Sequence, residues 1–301
     1  MRRFRMTATM PGSALRSISY RRYNDFPVRH FSAQTTQPLH APGASRLDLA
    51  VEPTALEQLL DAIDRRIAFA PGAPLLAERR ANLLRALGRL EEARNAYARV
   101  AAGDPASRVH RILSERTVDW TDRAGPVPFV RIENFLRPDE QARLWEVVAD
   151  PAASFFAGSV KGDAGESDNV YLRKAEVMRR AGPVRQWFMP QALELIEQDD
   201  VLARLGFSRF ALGRFELQVT RHADGAHLWC HRDIGPAHPD RHISYVYYFH
   251  RQPRGFSGGD LLLFDQDAKG VRGDLLAFTR IIPTDNMLIL FPSDRWHSVS
   301  R

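Results

Sequence analysis

Apolar residues recur at helical spacing from Thr54 onward: Leu56, Leu59, Leu60, Ile63 and Ile67 lie three or four positions apart, the pattern of an amphipathic helix. Thr54 stands where a side-chain oxygen can cap the helix start by accepting a free backbone N–H. Pro71-Gly72 breaks the run. A second stretch, residues 75–100, carries Leu83, Leu84, Leu87, Leu90, Ala93, Ala96, Tyr97 and Val100. Gly88 divides it, because a residue without Cβ accepts the left-handed conformation that ends helices. Residues 129–132 read as a strand, and Pro138-Asp139-Glu140 open a helix that runs through Leu144, Val147 and Val148. Proline is tolerated in a first turn and acids there complement the helix dipole. Another helix is predicted over 184–198. Past Leu205 the text turns to short strands, at 215–220, 228–234, 243–249, 260–264 and 287–291, separated by Gly, Pro and Asp. That spacing predicts a barrel or sandwich and not a doubly wound sheet.

The second helical stretch resembles a tetratricopeptide repeat, with Asn82, Leu84, Leu87-Gly88, Ala93, Tyr97 and Asp104-Pro105 in that family's order. The likeness covers about one unit, and such units bury a core only when about three are stacked. A helical hairpin packed on the following domain is therefore the favoured reading, with a protein-docking groove as the alternative.

Composition refines this picture at one place. The 301 residues carry 42 basic and 36 acidic side chains, a formal +6. Eight arginines against the single acid Asp25 fall within residues 1–46, leaving 34 basic and 35 acidic residues in the remainder. The rest of the chain is thus nearly neutral, and no phosphate-tracking groove is indicated. Neither nucleic acid nor a membrane is an expected partner, since no apolar run is long enough to span a bilayer. Residues 1–46, rich in Arg, Ser, Thr and Pro, read as a disordered basic tail. The sharper reading is an organellar presequence with Val28-Arg29-His30-Phe31-Ser32 as its processing site; otherwise the cytoplasm is expected. One cysteine, Cys230, excludes an internal disulfide framework.

Seven of the ten histidines lie between His222 and His297, and three form His-x-Asp pairs: His222/Asp224, His231/Asp233 and His238/Asp240. On a strand such a pair shares one face, so it can present an imidazole nitrogen and a carboxylate oxygen to one ion. Context separates the three. Asp224-Gly225 is a turn signature, and His238-Pro239-Asp240 follows Gly235-Pro236 in a loop. His231/Asp233 alone sits in an apolar strand, where buried polar groups need partners. His297, beginning another strand after a buried one, is the candidate third ligand. Two imidazoles and one carboxylate with open positions suit non-haem Fe(II), while zinc with hydrolytic chemistry is the competing assignment.

The same text resembles the Fe(II)/2-oxoglutarate-dependent dioxygenases, in their prolyl 4-hydroxylase-like branch. The resemblance is carried by Gln218-Val219-Thr220-Arg221-His222-Ala223-Asp224-Gly225, His231-Arg232-Asp233, residues 241–249, Ser257-Gly258-Gly259-Asp260-Leu261 and residues 286–297, within 127–301. It implies a catalytic domain that is a double-stranded β-helix, or jelly roll, so that with the helical, tetratricopeptide-like segment at 50–120 the fold class is α+β. It implies the metal ligands His231, Asp233 and His297, with no catalytic side chain beyond them, and 2-oxoglutarate and dioxygen as co-substrates. Tyr248 falls at the family's co-substrate tyrosine, and Ser244 at a nearby hydroxyl position on the same face. His222 and Leu228 stand where the family often has aromatic residues, and His222 is a third candidate for co-substrate contact. Ascorbate is a candidate additional cofactor. The implied reaction is hydroxylation of a C–H bond on a protein, peptide or small-molecule substrate, prolyl residues foremost.

One departure stands out. The family places an Arg or Lys some way beyond the distal histidine, where its cation pairs with the far carboxylate of 2-oxoglutarate. Here only four residues follow His297. The expectation is a jelly roll lacking its last strand through truncation, with an unpaired sheet edge. An inactive binding module, or Arg301 acting as the substitute cation, are the alternatives. A cupin-like metal hydrolase or isomerase is the further rival.

Overall fold

The computed structural model describes residues 3–11, 52–101, 124–162, 165–167, 172–178, 181–213, 215–235, 238–273 and 277–301. The processing-site reading at 28–32 and the Asp104-Pro105 step lie outside them. Among the described residues no helix is long and apolar enough to cross a membrane.

Three helices come first: α1 (Pro53–Phe69), α2 (Pro74–Ala86) and α3 (Leu90–Ala101). α1 starts one residue earlier than Thr54 suggests, because Pro53 takes the first helical position and Glu52 the cap, without a side-chain cap bond. Thr54 lies inside the first turn and donates to Glu52 instead. Gly88 has φ +78°, and the Arg89 N–H reaches back to the Leu84 carbonyl, the six-to-one bond of a left-handed helix end. This lets α3 fold back on α2. The apolar faces of the three helices, with Leu56, Leu60, Leu84, Ala93 and Tyr97 buried, close over Leu262, Phe264 and Phe278 of the small sheet described below. Arg85 is buried and makes a two-pronged pair with Asp265 at 2.9 and 2.7 Å. Arg280 joins the Ala86 carbonyl to Asp260. The helical segment is fastened to the β domain by its apolar face, as the hairpin reading expects.

Fourteen strands are present among the described residues. β1 (Arg3–Pro11) precedes the helices; β2 (Val130–Glu133) follows them. Short strands β3 (Phe155–Ala157), β4 (Val160–Gly162), β5 (Gly165–Ser167), β6 (Arg173–Lys174) and β7 (Glu176–Met178) come next. The remainder are β8 (Gln218–His222), β9 (His227–His231), β10 (Arg241–Phe249), β11 (Leu261–Phe264), β12 (Phe278–Ile281), β13 (Met287–Pro292) and β14 (His297–Val299). Helices α4 (Pro138–Ala149), α5 (Gly182–Ile196) and α6 (Asp199–Leu205) complete the elements.

The large sheet runs β2-β13-β10-β1-β8-β7-β3 and the small one β12-β11-β14-β9-β6. From β8 to β11 successive strands alternate between the two sheets, and β13 and β14 do so again. All the named pairings are antiparallel. The pleat divides each strand. Tyr245, Tyr247 and Phe249 of β10 join Leu288 and Leu290 under α4, α5 and α6. Val246 and Tyr248 face inward with Met287, Ile289 and Phe291, against Leu261, Leu263 and Ile281 of the small sheet.

β1 corrects the reading of residues 1–46 as disordered throughout. It lies between β10 and β8, with Arg5 opposite Tyr248 on one side and Thr220 on the other. The reason is visible in Phe4, Met6, Ala8 and Met10, which alternate with Arg3, Arg5, Thr7 and Thr9. That is a period of two, hidden by the high charge around it.

Candidate metal centre

His231 ends β9, Asp233 lies two residues on, and His297 opens β14, the neighbouring strand. Cross-strand pairing puts His297 directly opposite His231, with ring centroids 4.2 Å apart. One ligand atom from each of His231, Asp233 and His297 lies within 4.8 Å of the others. His231 Nε2 is 3.4 Å from Asp233 Oδ1, and His297 Nε2 is 3.5 Å from Asp233 Oδ2. His297 is buried, while the other two are half-buried.

The tautomers follow from the far side of each ring. His231 Nδ1 is 2.8 Å from the Trp229 carbonyl, and His297 Nδ1 is 3.0 Å from the Arg295 carbonyl. A carbonyl can only accept, so each Nδ1 carries the proton and each neutral ring turns an Nε2 lone pair inward. Two lone pairs and a carboxylate that converge on one point could hold a cation between them. The donor set, two imidazole nitrogens and one oxygen on one side, fits a ferrous ion with further positions open.

The carboxylate is held from behind. Ser244 Oγ donates to Asp233 Oδ2 at 2.6 Å and lies 2.9 Å from Ser293 Oγ. The Asp233 and Ile234 N–H groups donate to the Ser293 carbonyl at 3.1 and 3.2 Å, and Arg241 Nη1 donates to the Asp233 carbonyl. Burial of the Asp233 carboxyl opposes its ionisation, but when no ion is held the charge of protonated His297 and His231, with the Ser244 hydroxyl, holds it well below the usual carboxylate range. Ser293 was not singled out by sequence reasoning; the Pro292-Ser293-Asp294 turn after a buried strand was its only signal.

The remaining predicted site residues are distributed as follows. Ser244 donates to Asp233, so its hydroxyl proton is committed there and not to a co-substrate. Tyr248 is buried four residues farther along β10, on the same inward face. His222 is buried at the end of β8, opposite Arg3 of β1. The rejected pairs behave as local context suggested: Asp224-Gly225 forms a turn with Gly225 at φ +66°, and His238 bridges Gly235 in a loop. Cys230, between the ligand and the strand's apolar half, packs toward the helical cluster. Burial pushes its thiol up to about 11, against a smaller opposite pull from Arg272, so it is not a nucleophile at neutral pH.

Residues 217–301, which contain all three candidate ligands, match the family model of the 2OG-Fe(II) oxygenase superfamily. Over 196 residues the chain is 30% identical to an uncharacterized PKHD-type hydroxylase, sll0191, of Synechocystis sp. (strain ATCC 27184 / PCC 6803 / Kazusa), covering 64% of this chain and 63% of that protein. The chain thus matches somewhat under two thirds of that relative's length. Among solved structures, a prolyl-4-hydroxylase of Pseudomonas putida is similar at 19% identity and a TM-score of 0.39, over 58% of this chain and 85% of that one.

Proposed function

We propose that the protein is an Fe(II)/2-oxoglutarate-dependent dioxygenase with a jelly-roll catalytic domain, hydroxylating a C–H bond of a protein side chain, a peptide or a small molecule. The observation that carries this reading is the convergence of His231, Asp233 and His297 with both Nε2 lone pairs turned inward, inside the region that matches the oxygenase superfamily. A ferrous ion held there supplies oxidising chemistry that couples decarboxylation of 2-oxoglutarate to succinate with insertion of one oxygen atom of O2 into the substrate. The chain's own part is to hold and orient. The Trp229 and Arg295 carbonyls fix the two imidazoles, and Ser244 and Ser293 fix the carboxylate. The apolar faces of the two sheets around Tyr248 and Phe291 exclude water from the space between them. In this reading Tyr248, on the same inward face as Ser244, presents its hydroxyl to the co-substrate.

The test is succinate formation and bound iron in purified protein. His231→Ala or Asp233→Ala is expected to abolish both, while His238→Ala, in the loop pair, leaves both within about twofold of the parent. Equal losses from His238→Ala would move the metal centre to the other motif and overturn the assignment.

A further inference from the structure

A cavity of about 430 Å³ lies on the outer face of the large sheet, between the C-terminal end of α4 and the chain that leaves β10. That volume is ordinary for a small-molecule site. The cavity belongs to a different part of the fold from the metal centre. Arg221, in its wall, is two residues from Val219 on β8 and so shares the face packed under α4–α6. His250, also in its wall, follows the end of β10, six residues beyond Ser244 and about 20 Å along the strand. None of His231, Asp233 and His297 lines it.

The walls combine ring faces with charges of both signs. The Arg221 guanidinium lies over the Phe155 ring at 4.2 Å, and Glu176 takes its Nε and Nη2 at 2.7 and 3.0 Å. The donor left over is Nη1. Arg251 lies over the Trp145 ring at 5.1 Å and pairs with no carboxylate among the described residues. Two guanidiniums held flat on rings are prepared to meet a carboxylate. The opposite sign comes from Asp150, the C-cap of α4, at the negative end of the helix dipole. Its Oδ1 accepts the Ala152 N–H, which leaves Oδ2. His250 adds an acceptor. It is 5% exposed, and its Nδ1, 3.1 Å from the Arg251 carbonyl, carries the ring proton. Its Nε2 lone pair is therefore buried without a partner among the described residues. A buried acceptor that meets no donor is costly, and a ligand N–H supplies that donor.

We propose that this cavity binds an α-amino acid with an apolar side chain. The carboxylate meets Arg221 Nη1 and Arg251, the ammonium meets Asp150 and His250 Nε2, and the side chain packs against Trp145 and Phe256. Both ligand charges matter: a plain carboxylate leaves Asp150 and His250 without a donor, and a plain amine faces two guanidiniums. The site stands apart from the oxygenase reading. Its test is calorimetry on the full-length protein with L-phenylalanine, beside 3-phenylpropionate, which lacks the ammonium, and 2-phenylethylamine, which lacks the carboxylate. L-Phenylalanine is expected to saturate one site, with each analogue at least about 10-fold weaker, the range for a lost charge-assisted bond. Arg251→Ala should weaken L-phenylalanine by about that factor and leave 2-phenylethylamine unchanged. Asp150→Asn should weaken L-phenylalanine and leave 3-phenylpropionate unchanged. Arg251→Gln serves the same comparison if the alanine variant unfolds. His231→Ala, at the metal centre, should bind L-phenylalanine like the parent. Absence of saturable L-phenylalanine binding, an analogue that binds as tightly, parent-like affinity in Arg251→Ala, or an equal loss in His231→Ala overturns the proposal.

Discussion

Ser244 shows how a single hydroxyl can serve the metal without touching it. Its proton goes to Asp233 Oδ2 and its oxygen lies beside Ser293, so it fixes the angle at which the carboxylate meets an ion. Supporting bonds of this kind are typically worth 10- to 100-fold in metal affinity. Ser244→Ala is therefore expected to weaken Fe(II) or Mn(II) binding by about that factor, in a metal titration, while leaving the unfolding transition of the metal-free protein little changed. The three candidate ligands, which the structure brings within reach of one another, can be picked out in the text because local context discriminates among the His-x-Asp pairs: a Gly turn at Asp224, prolines around His238, apolar neighbours for His231. The hydroxyl support was not legible, because the contact joins residues 11 and 49 positions apart, and nothing in local spacing marks such a partner.

At the level of elements, legibility follows length and contrast. β10 and β13 are long and apolar, and their positions were readable to within two residues. β12 was missed, since its four residues Phe278, Thr279, Arg280 and Ile281 are too few to show a period and contain a charge. The strands β3 to β7 have two or three residues each and carry no periodic signal. β3, β6 and β7 exist because the two sheets offer them partners, and β4 and β5 because they pair with each other. The helical segment offers a measurable consequence of its docking. Tyr97 is buried and its hydroxyl is hydrogen-bonded to Asn82. Burial pushes its phenol up to about 12, with nearby Arg85 pulling the other way and Asp265 and Glu78 adding to the rise. The unfolded chain releases this proton near pH 10 and the folded one only near 12. The stability tied to the protonated phenol is therefore complete below pH 10 and is lost as pH climbs from 10 to 12. Tyr97→Phe should flatten that part of the stability-versus-pH curve, read by denaturant titration, relative to the parent.

For the molecule as a whole, β1 is the strand on which the large sheet depends. It forms full ladders with β10 on one side and β8 on the other, so its removal would expose two edges at the centre of the sheet. Deleting residues 1–11 is expected to abolish a cooperative unfolding transition or to produce aggregation, and a synthetic peptide of that sequence, added in trans, should restore soluble, folded protein. Recovery of the parent's stability by the deleted chain alone would show that β1 is dispensable. The same dependence bears on the presequence reading. Cleavage after residue 32 would cut the strand from its chain, leaving only the ladder bonds to keep it in place.

β1 also sets a timetable for synthesis. It is translated long before its pairing partners, since Thr220 and Tyr248, opposite Arg5, are more than 200 residues downstream. At about 5–20 residues per second, the ribosome takes on the order of 10 to 50 seconds to deliver them. Throughout that interval an alternating, sticky segment trails from the tunnel with no mate, and the large sheet must wait for this early piece to come back and lock it.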